Sequence, residues 1–282
     1  MNRTRTVAVA VGATAALTAA VALPTGAANA GGSKDHAPHL AVGLADGDTL
    51  VSFSLSRPDR PKVLGDVSGL SGDRSLVGID FRVQDGKLYA VGDKGGVYTL
   101  SSRAKATKVK QLTVALEGTA FGVDFNPAAN ALRIISDTGQ NLRQPFATEG
   151  AATVADGRLT YPPVAPSTTP TPGTGVTAAA YTNNDLDTAT ATTLFDLDTA
   201  MDQVVVQAPA NAGSLSATGK LGVDAGQDAG FDIGHGNRGY AALSVDGRSR
   251  LYSVDLLSGE ARSKGSFPRS VQVSDIAVPI KR

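Results

Sequence analysis

One unit, used several times, limits this chain more than any other feature. The stretch FGVDFNPAANALRIISDTGQNLR, Phe121 to Arg143, reads as strand, turn, strand, turn and the start of a third strand. Val77 to Ser101, VGIDFRVQDGKLYAVGDKGGVYTLS, has the same grammar, and AGFDI at Ala229 to Ile233 opens it again. Short apolar runs bounded by Gly, Asp and Asn are the pattern of strands joined by tight turns. Aligning the first strand of each unit places Asp80, Asp124, Ala180, Asp232 and Ala277 at one register, at intervals of 44, 56, 52 and 45 residues. Four strands at a period near this length make a propeller blade, a small sheet that buries its faces only against copies of itself.

The two ends of the chain complete each other. VSDIAVPI, at the C-terminal end, has no strands after it, while HLAVGL, TLVSFSLS and PKVLGD near the start lack a first strand. Pairing them gives the expected architecture: an all-β, five-bladed β-propeller of four-stranded antiparallel blades, closed by pairing of N- and C-terminal strands, with no open edge between first and last blades. A sixth blade would need a strand pair hidden in Val63–Leu76, which is too short for a full blade. Within this scheme RPDR (Arg57–Arg60) is read as a turn, and QNLRQPF and ATVADGRLTYP as the two outer strands of the blade that begins at Phe121. The stretch 162–175, PPVAPSTTPTPGTG, is too rich in Pro for a strand and is expected as an exposed loop.

Residues 1–30 stand apart from this pattern. Arg3 and Arg5 precede an apolar Ala/Val-rich run to Leu23, and Ala28-Asn29-Ala30 supplies the small residues of a cleavage site, so 1–30 is expected to be a secretory signal peptide and 31–38 a disordered leader. The run is also near the lower length for a membrane anchor. Residues 39–282 then form a single domain, expected to be secreted, monomeric and off the membrane once cleaved. The chain has no Cys, which excludes disulfides, thiolate metal sites and a lipid-bearing cysteine. Loss of Arg3 and Arg5 leaves 24 basic against 26 acidic residues, a net charge of −2, without the basic footprint of a nucleic-acid binder.

GVDFNPAANALRIISDTGQNLR, GVTAAAYTNN, ATTLFDLDTAMDQVVVQ, AGFDI and LYSVDLLSGEA together resemble a bacterial domain-of-unknown-function family, number 4394, over nearly all of residues 39–280. The resemblance implies a secreted or surface-exposed propeller-like domain and carries no catalytic residues with it.

Three clusters are candidates for chemistry. Asp80, Asp124 and Asp232 lie on inner strands, where carboxylates could form a partial ring, incomplete at Ala180 and Ala277, for a hard cation such as Ca²⁺; the favoured reading is that, as repeated residues serving the repeat, they bond the backbone of a neighbouring blade. Gln140, Asn141 and Arg143, with Asp137 beside them and Asn126 and Arg133 nearby, are the most polar part of the repeat; Arg143 offers a planar fork to a carboxylate or sugar hydroxyls, or closes a turn by an ion pair. Tyr181–Asp185 with Asp196, Asp198 and Asp202 faintly suggests calcium, but reads better as strands joined by a turn. No nucleophile elbow is present, and the three histidines, His36, His39 and His235, do not assemble a triad. The expected function is therefore a secreted, non-enzymatic binding or interaction domain for an extracellular or cell-wall partner, with no catalytic residue and no obligatory cofactor. The alternative is an extracellular hydrolase of a polysaccharide or lactone-like substrate using the axial carboxylates.

Overall fold

The computed structural model describes residues 40–187 and 189–280, so the expected signal peptide and leader lie outside the described residues. Strands β1 (Leu40–Ala45), β2 (Thr49–Ser54) and β3 (Arg57–Asp66) come first. They are followed by β4 (Leu76–Arg82), β5 (Lys87–Gly92), β6 (Gly96–Leu100) and β7 (Ala106–Gln111), and then by β8 (Phe121–Asn126), β9 (Ala131–Ser136), β10 (Asn141–Pro145) and β11 (Val154–Ala155). A short pair, β12 (Thr160–Tyr161) and β13 (Thr171–Pro172), brackets the Pro/Thr-rich loop. Next are β14 (Val176–Tyr181), β15 (Leu194–Asp198), β16 (Gln203–Gln207) and β17 (Leu215–Lys220). The last blade and the closing strand are β18 (Ala229–Gly234), β19 (Arg238–Val245), β20 (Arg248–Val254), β21 (Ala261–Ser266) and β22 (Val273–Ala277).

These strands make five four-stranded antiparallel sheets, a five-bladed propeller. Blades II to V are β4–β7, β8–β11, β14–β17 and β18–β21. Blade I takes its inner strand from the far end of the sequence: β22 pairs antiparallel with β1, Gly43 opposite Ile276, and the order is β22-β1-β2-β3. The five inner strands β22, β4, β8, β14 and β18 pack side by side around the axis.

Each strand sends alternate side chains to opposite faces, and each blade face meets a neighbour. The apolar interior accordingly divides into five clusters, one per blade junction. Leu44, Leu50, Ile79 and Tyr98 join I to II; Tyr89, Val123, Phe125 and Ile134 join II to III. Ile135, Tyr181 and Val205 join III to IV, Phe195, Leu197 and Phe231 join IV to V, and Phe53, Leu251 and Phe267 join V to I. Two hairpins turn on Asp-Gly steps with positive φ at both residues: β19–β20 with a two-residue connection (53° and 68°), whose twist this conformation suits, and β1–β2 with a three-residue one that adds Asp48 (53° and 76°).

Two local expectations need correction, while the five-blade count stands. Arg57–Arg60 is not a turn but the start of β3, where Pro58 and Pro61 are admissible because an outer strand has one unpaired edge. Blade III has an outermost strand of only two residues, because the chain leaves it after Ala155 to build β12 and β13. The residues after Asp66 form no extra strand pair but a connector laid against blade II, where Asp73 accepts hydrogen bonds from the Tyr98 hydroxyl (2.5 Å) and the Lys94 N–H (2.6 Å).

Candidate functional site

The inner strands carry a recurring Gly-x-Asp: Gly78-Ile79-Asp80, Gly122-Val123-Asp124 and Gly230-Phe231-Asp232. The glycine lets neighbouring inner strands approach closely; a Cβ on Gly122 would sit 2.6 Å from the backbone nitrogen of Ala179. The aspartate two residues on points toward the following blade and binds its backbone. Asp80 Oδ2 accepts the N–H of Phe125 (2.8 Å) and its Oδ1 that of Phe81 (2.6 Å). Asp124 Oδ1 accepts the N–H of Tyr181 (3.1 Å), and Asp232 accepts those of Val278 (2.5 Å) and Ile233 (2.6 Å). Each acid thus clasps its own blade to the next.

In blade I the same device is displaced by one pleat. Ala277 occupies the aspartate register, but Asp275 stands where the other blades have glycine and accepts the N–H groups of Ile79 (2.7 Å) and Ile276 (2.9 Å). Sequence alignment on the aspartate register passed over Asp275; the signal that would have found it is an acid replacing the glycine of Gly-x-Asp. Four of the five junctions are clasped in this way. The exception is IV to V, where blade IV reads Ala178-Ala179-Ala180. That junction is tied at its rim by amides instead: Asn237 Nδ2 donates to Asn183 Oδ1 (2.8 Å), the N–H of Asn183 donates to Asn237 Oδ1 (2.9 Å), and Asn184 Nδ2 donates to the carbonyl of Ile233 (3.0 Å).

Asp80, Asp124 and Asp232 also approach one another: each has an oxygen within 4.8 Å of the others, a spacing that could hold a cation. All three are nevertheless buried, at 3%, 1% and 2% exposure, and each already accepts at least one backbone N–H. Burial, followed by repulsion from neighbouring acids, holds the carboxyls of Asp80 and Asp124 well above the usual range. Burial, with a smaller contribution from the Asp232 carboxyl, raises Asp275 well above the usual range, and burial pushes Asp232 up to about 7. The arrangement suits carboxyls that share protons and hydrogen-bond neutral peptide groups.

The second candidate cluster lies inside the junction of blades III and IV. Arg133, 1% exposed, donates to Asn141 Oδ1 (2.7 Å), Asp156 Oδ2 (2.8 Å) and Asn211 Oδ1 (2.7 Å). Arg143 does present its fork to a carboxylate, and it is that of Asp156, at 3.1 and 3.2 Å. Asn141 Nδ2 donates to the carbonyls of Gly157 and Ala210, and Gln140 spans the 115–117 segment through Ala115 O and Glu117 N–H. Asn126 caps the turn after β8 by accepting the Ala129 N–H (2.8 Å). Asp137 accepts the N–H and hydroxyl of Thr119. The structure links Asn141 and Arg143 through Arg133 and Asp156, while Gln140 turns to the 115–117 segment instead, and each of the three bonds other parts of the chain.

Of the third cluster, Leu194–Asp198 and Gln203–Gln207 are strands with a turn between them, where Asp198 accepts the Met201 N–H (2.9 Å) and the Tyr161 hydroxyl. Asp196 is different: it is fully buried on the blade III side, and neither of its oxygens has a partner among the described residues. Burial raises its pKa well above the usual range, partly opposed by Arg133.

The open concavity is elsewhere. Where β14, β18 and β22 end, Asn183–Asp185, Ile233–Asn237 and Val278–Ile280 enclose a cleft of about 360 Å³. Its lining mixes the apolar Ile233, Val278, Pro279 and Ile280 with the polar Asn183, Asn184, Asp185, His235 and Asn237. Asp185, His235 and Asn237 are exposed. The cleft lies over the IV–V junction, the one without an acid clasp, and directly above the Asp232–Val278 bond. These residues come from three blades and have no shared sequence signal beyond being polar loops.

The model of the family described as domain of unknown function DUF4394 matches residues 49–277, and the chain belongs to that family. No curated protein sequence matches the chain. Among solved structures it is similar to a Lactobacillus plantarum protein (16% identity, 81% of this chain and 66% of that one, TM-score 0.41). It is also similar to an auxiliary nutrient binding protein from Bacteroides thetaiotaomicron (13%, 71% and 55%, 0.40). A third is a catalytically inactive virginiamycin B lyase from Staphylococcus aureus (10%, 79% and 73%, 0.43). The chain spans less than two thirds of the first two.

Proposed function

We propose that this chain is an exported, non-enzymatic binding propeller whose ligand occupies the cleft between Asn183–Asp185, Ile233–Asn237 and Val278–Ile280. The supporting observation is a contrast in how polar groups are used. The axial acids, Arg133 and Asn141 are buried and Arg143 is half-buried with its fork on Asp156, so that among the described residues these groups are bonded within the chain rather than offered to a hydrolase's substrate. The cleft instead combines apolar lining residues with a few convergent polar side chains, the usual make-up of a small-molecule site. Side-chain amides, an imidazole and a carboxylate around Ile and Val suit a ligand with hydroxyl or amide groups along one edge and an apolar face, such as a soluble cell-wall saccharide.

Melting scans of residues 31–282 against a panel of such saccharides test this, because a ligand that binds only the folded state raises Tm by mass action. The expected result is a shift with one member of the panel that disappears in His235→Ala and Asn237→Ala and survives in Gln140→Ala. A shift that survives the cleft variants, or none across the panel, overturns the assignment.

A further inference from the structure

The Pro/Thr-rich loop takes no part in the core or the cleft, and its construction is that of a presented segment. Every residue from 162 to 172 is exposed. Pro162, Pro163, Pro166, Pro170 and Pro172 remove backbone donors and set φ, so the loop cannot zip into a neighbouring sheet. Its base is nevertheless fixed. β12 pairs with β13, the N–H of Gly173 donates to the carbonyl of Leu159 (2.8 Å), and the Tyr161 hydroxyl bonds Asp198 and accepts from Gln203 Nε2 (3.1 Å). On this base stand four hydroxyl side chains: Ser167, which is engaged with Thr169 backbone, and Thr168, Thr169 and Thr171. No charged residue lies between 162 and 175.

We infer that this loop is an acceptor for O-glycosylation, with Thr168, Thr169 and Thr171 as the modified residues. An extended, uncharged, Pro-spaced hydroxyl segment is the composition of O-glycosylated stalks. The absence of charge sets it apart from a phosphorylation site, whose product would look for a basic partner the loop does not supply. In the reaction the threonine Oγ attacks the anomeric carbon of an activated glycosyl phosphate donor. The Oγ–C1 bond forms, the C1–O bond to phosphate breaks with its electron pair, and the hydroxyl proton passes to the transferase. The inference rests on export, since a membrane-borne glycosyl donor meets the chain on that route.

The test is mass spectrometry of the protein from its native host, taken separately from medium and from cells. Expected is a secreted chain lacking residues 1–30, whose peptide spanning 159–175 carries one or more hexose-sized increments. The variant Ser167→Ala, Thr168→Ala, Thr169→Ala, Thr171→Ala should lose every increment and keep the wild-type Tm, because these side chains support no packing. A secreted chain with that peptide unmodified overturns the glycosylation alone. A chain retained in cells with residues 1–30 attached and the peptide unmodified overturns the export it depends on as well.

Discussion

Asp80, Asp124, Asp196, Asp232 and Asp275 hold protons in the folded chain that they release when it unfolds, because burial raises their pKa values above the unfolded one. Stability linked to such groups is complete below the unfolded pKa of about 4 and declines as pH rises through the folded values, about 7 for Asp232. Asp93, Asp255 and Glu260 are shifted downward and act in the opposite sense, but only below the ordinary carboxylate range. Tm should therefore rise as pH is lowered from 8 to 5, and Asp232→Asn should flatten that slope; a Tm that falls over this range would contradict the proton-sharing account. EDTA or added Ca²⁺ should leave the curve in place, whereas a calcium-dependent rise lost in Asp80→Ala would assign the axial oxygens to a cation. Asp80→Ala leaves the buried Phe125 N–H without an acceptor and should cost about 1–3 kcal/mol in urea unfolding. Asp196→Leu removes a buried acid with no partner and should stabilise by a similar amount, about 1–3 kcal/mol. The register of Asp80, Asp124 and Asp232 was legible from the repeat. Their bonding to a neighbouring blade's backbone was one of the two readings the repeat offered; which N–H each takes, Phe125, Tyr181 or Val278, was not legible, since strand alternation leaves open what the facing backbone offers.

At the scale of the strand, spacing between inner elements is fixed by what lacks a side chain. Gly122→Ala would press a methyl onto the Ala179 backbone nitrogen and cannot be relieved by a rotamer change, so blade III must shift. It should be destabilised well beyond the roughly 1 kcal/mol of a glycine propensity effect, measurable as a lower urea midpoint at unchanged slope. Outer strands face the contrary problem, a row of unpaired donors, and β3 carries Pro58 and Pro61 while β7 and β21 carry lysines, features that discourage edge pairing. The elements that sequence patterning found are those with apolar alternation, β4–β6, β8–β10, β14–β16 and β18–β20. Of the polar outer strands it found β7 and β21 in ATKVKQLTVAL and ARSKGSF, but it passed over β17 and took the start of β3 for a turn, because a strand such as RPDRPKVLGD buries little and leaves almost no hydrophobic signal. The cleft was hidden for a related reason: Asn183, His235 and Val278 meet only once the ring exists.

At the scale of the whole molecule, the ring depends on one short strand. Without β22 blade I loses its inner strand, blade II its Asp275 clasp, and Asp232 the Val278 N–H it holds. Truncation after Gln272 should abolish the cooperative melt, while a circular permutant that joins residue 280 to residue 40 and opens at Asp246-Gly247 should retain it. Ring closure was predictable because incomplete units at the two ends could only complete each other. The bond from Asp275 to Ile79 joins residues 196 positions apart. Such long-range pairing makes folding slow, and it also sets a schedule. Nascent chain emerging from a ribosome has four blades' worth of strands before it has the one that shuts the circle. Until residue 277 appears, the edge of blade I and the flank of blade V stay open, so the ring cannot shut before its last strand is synthesised.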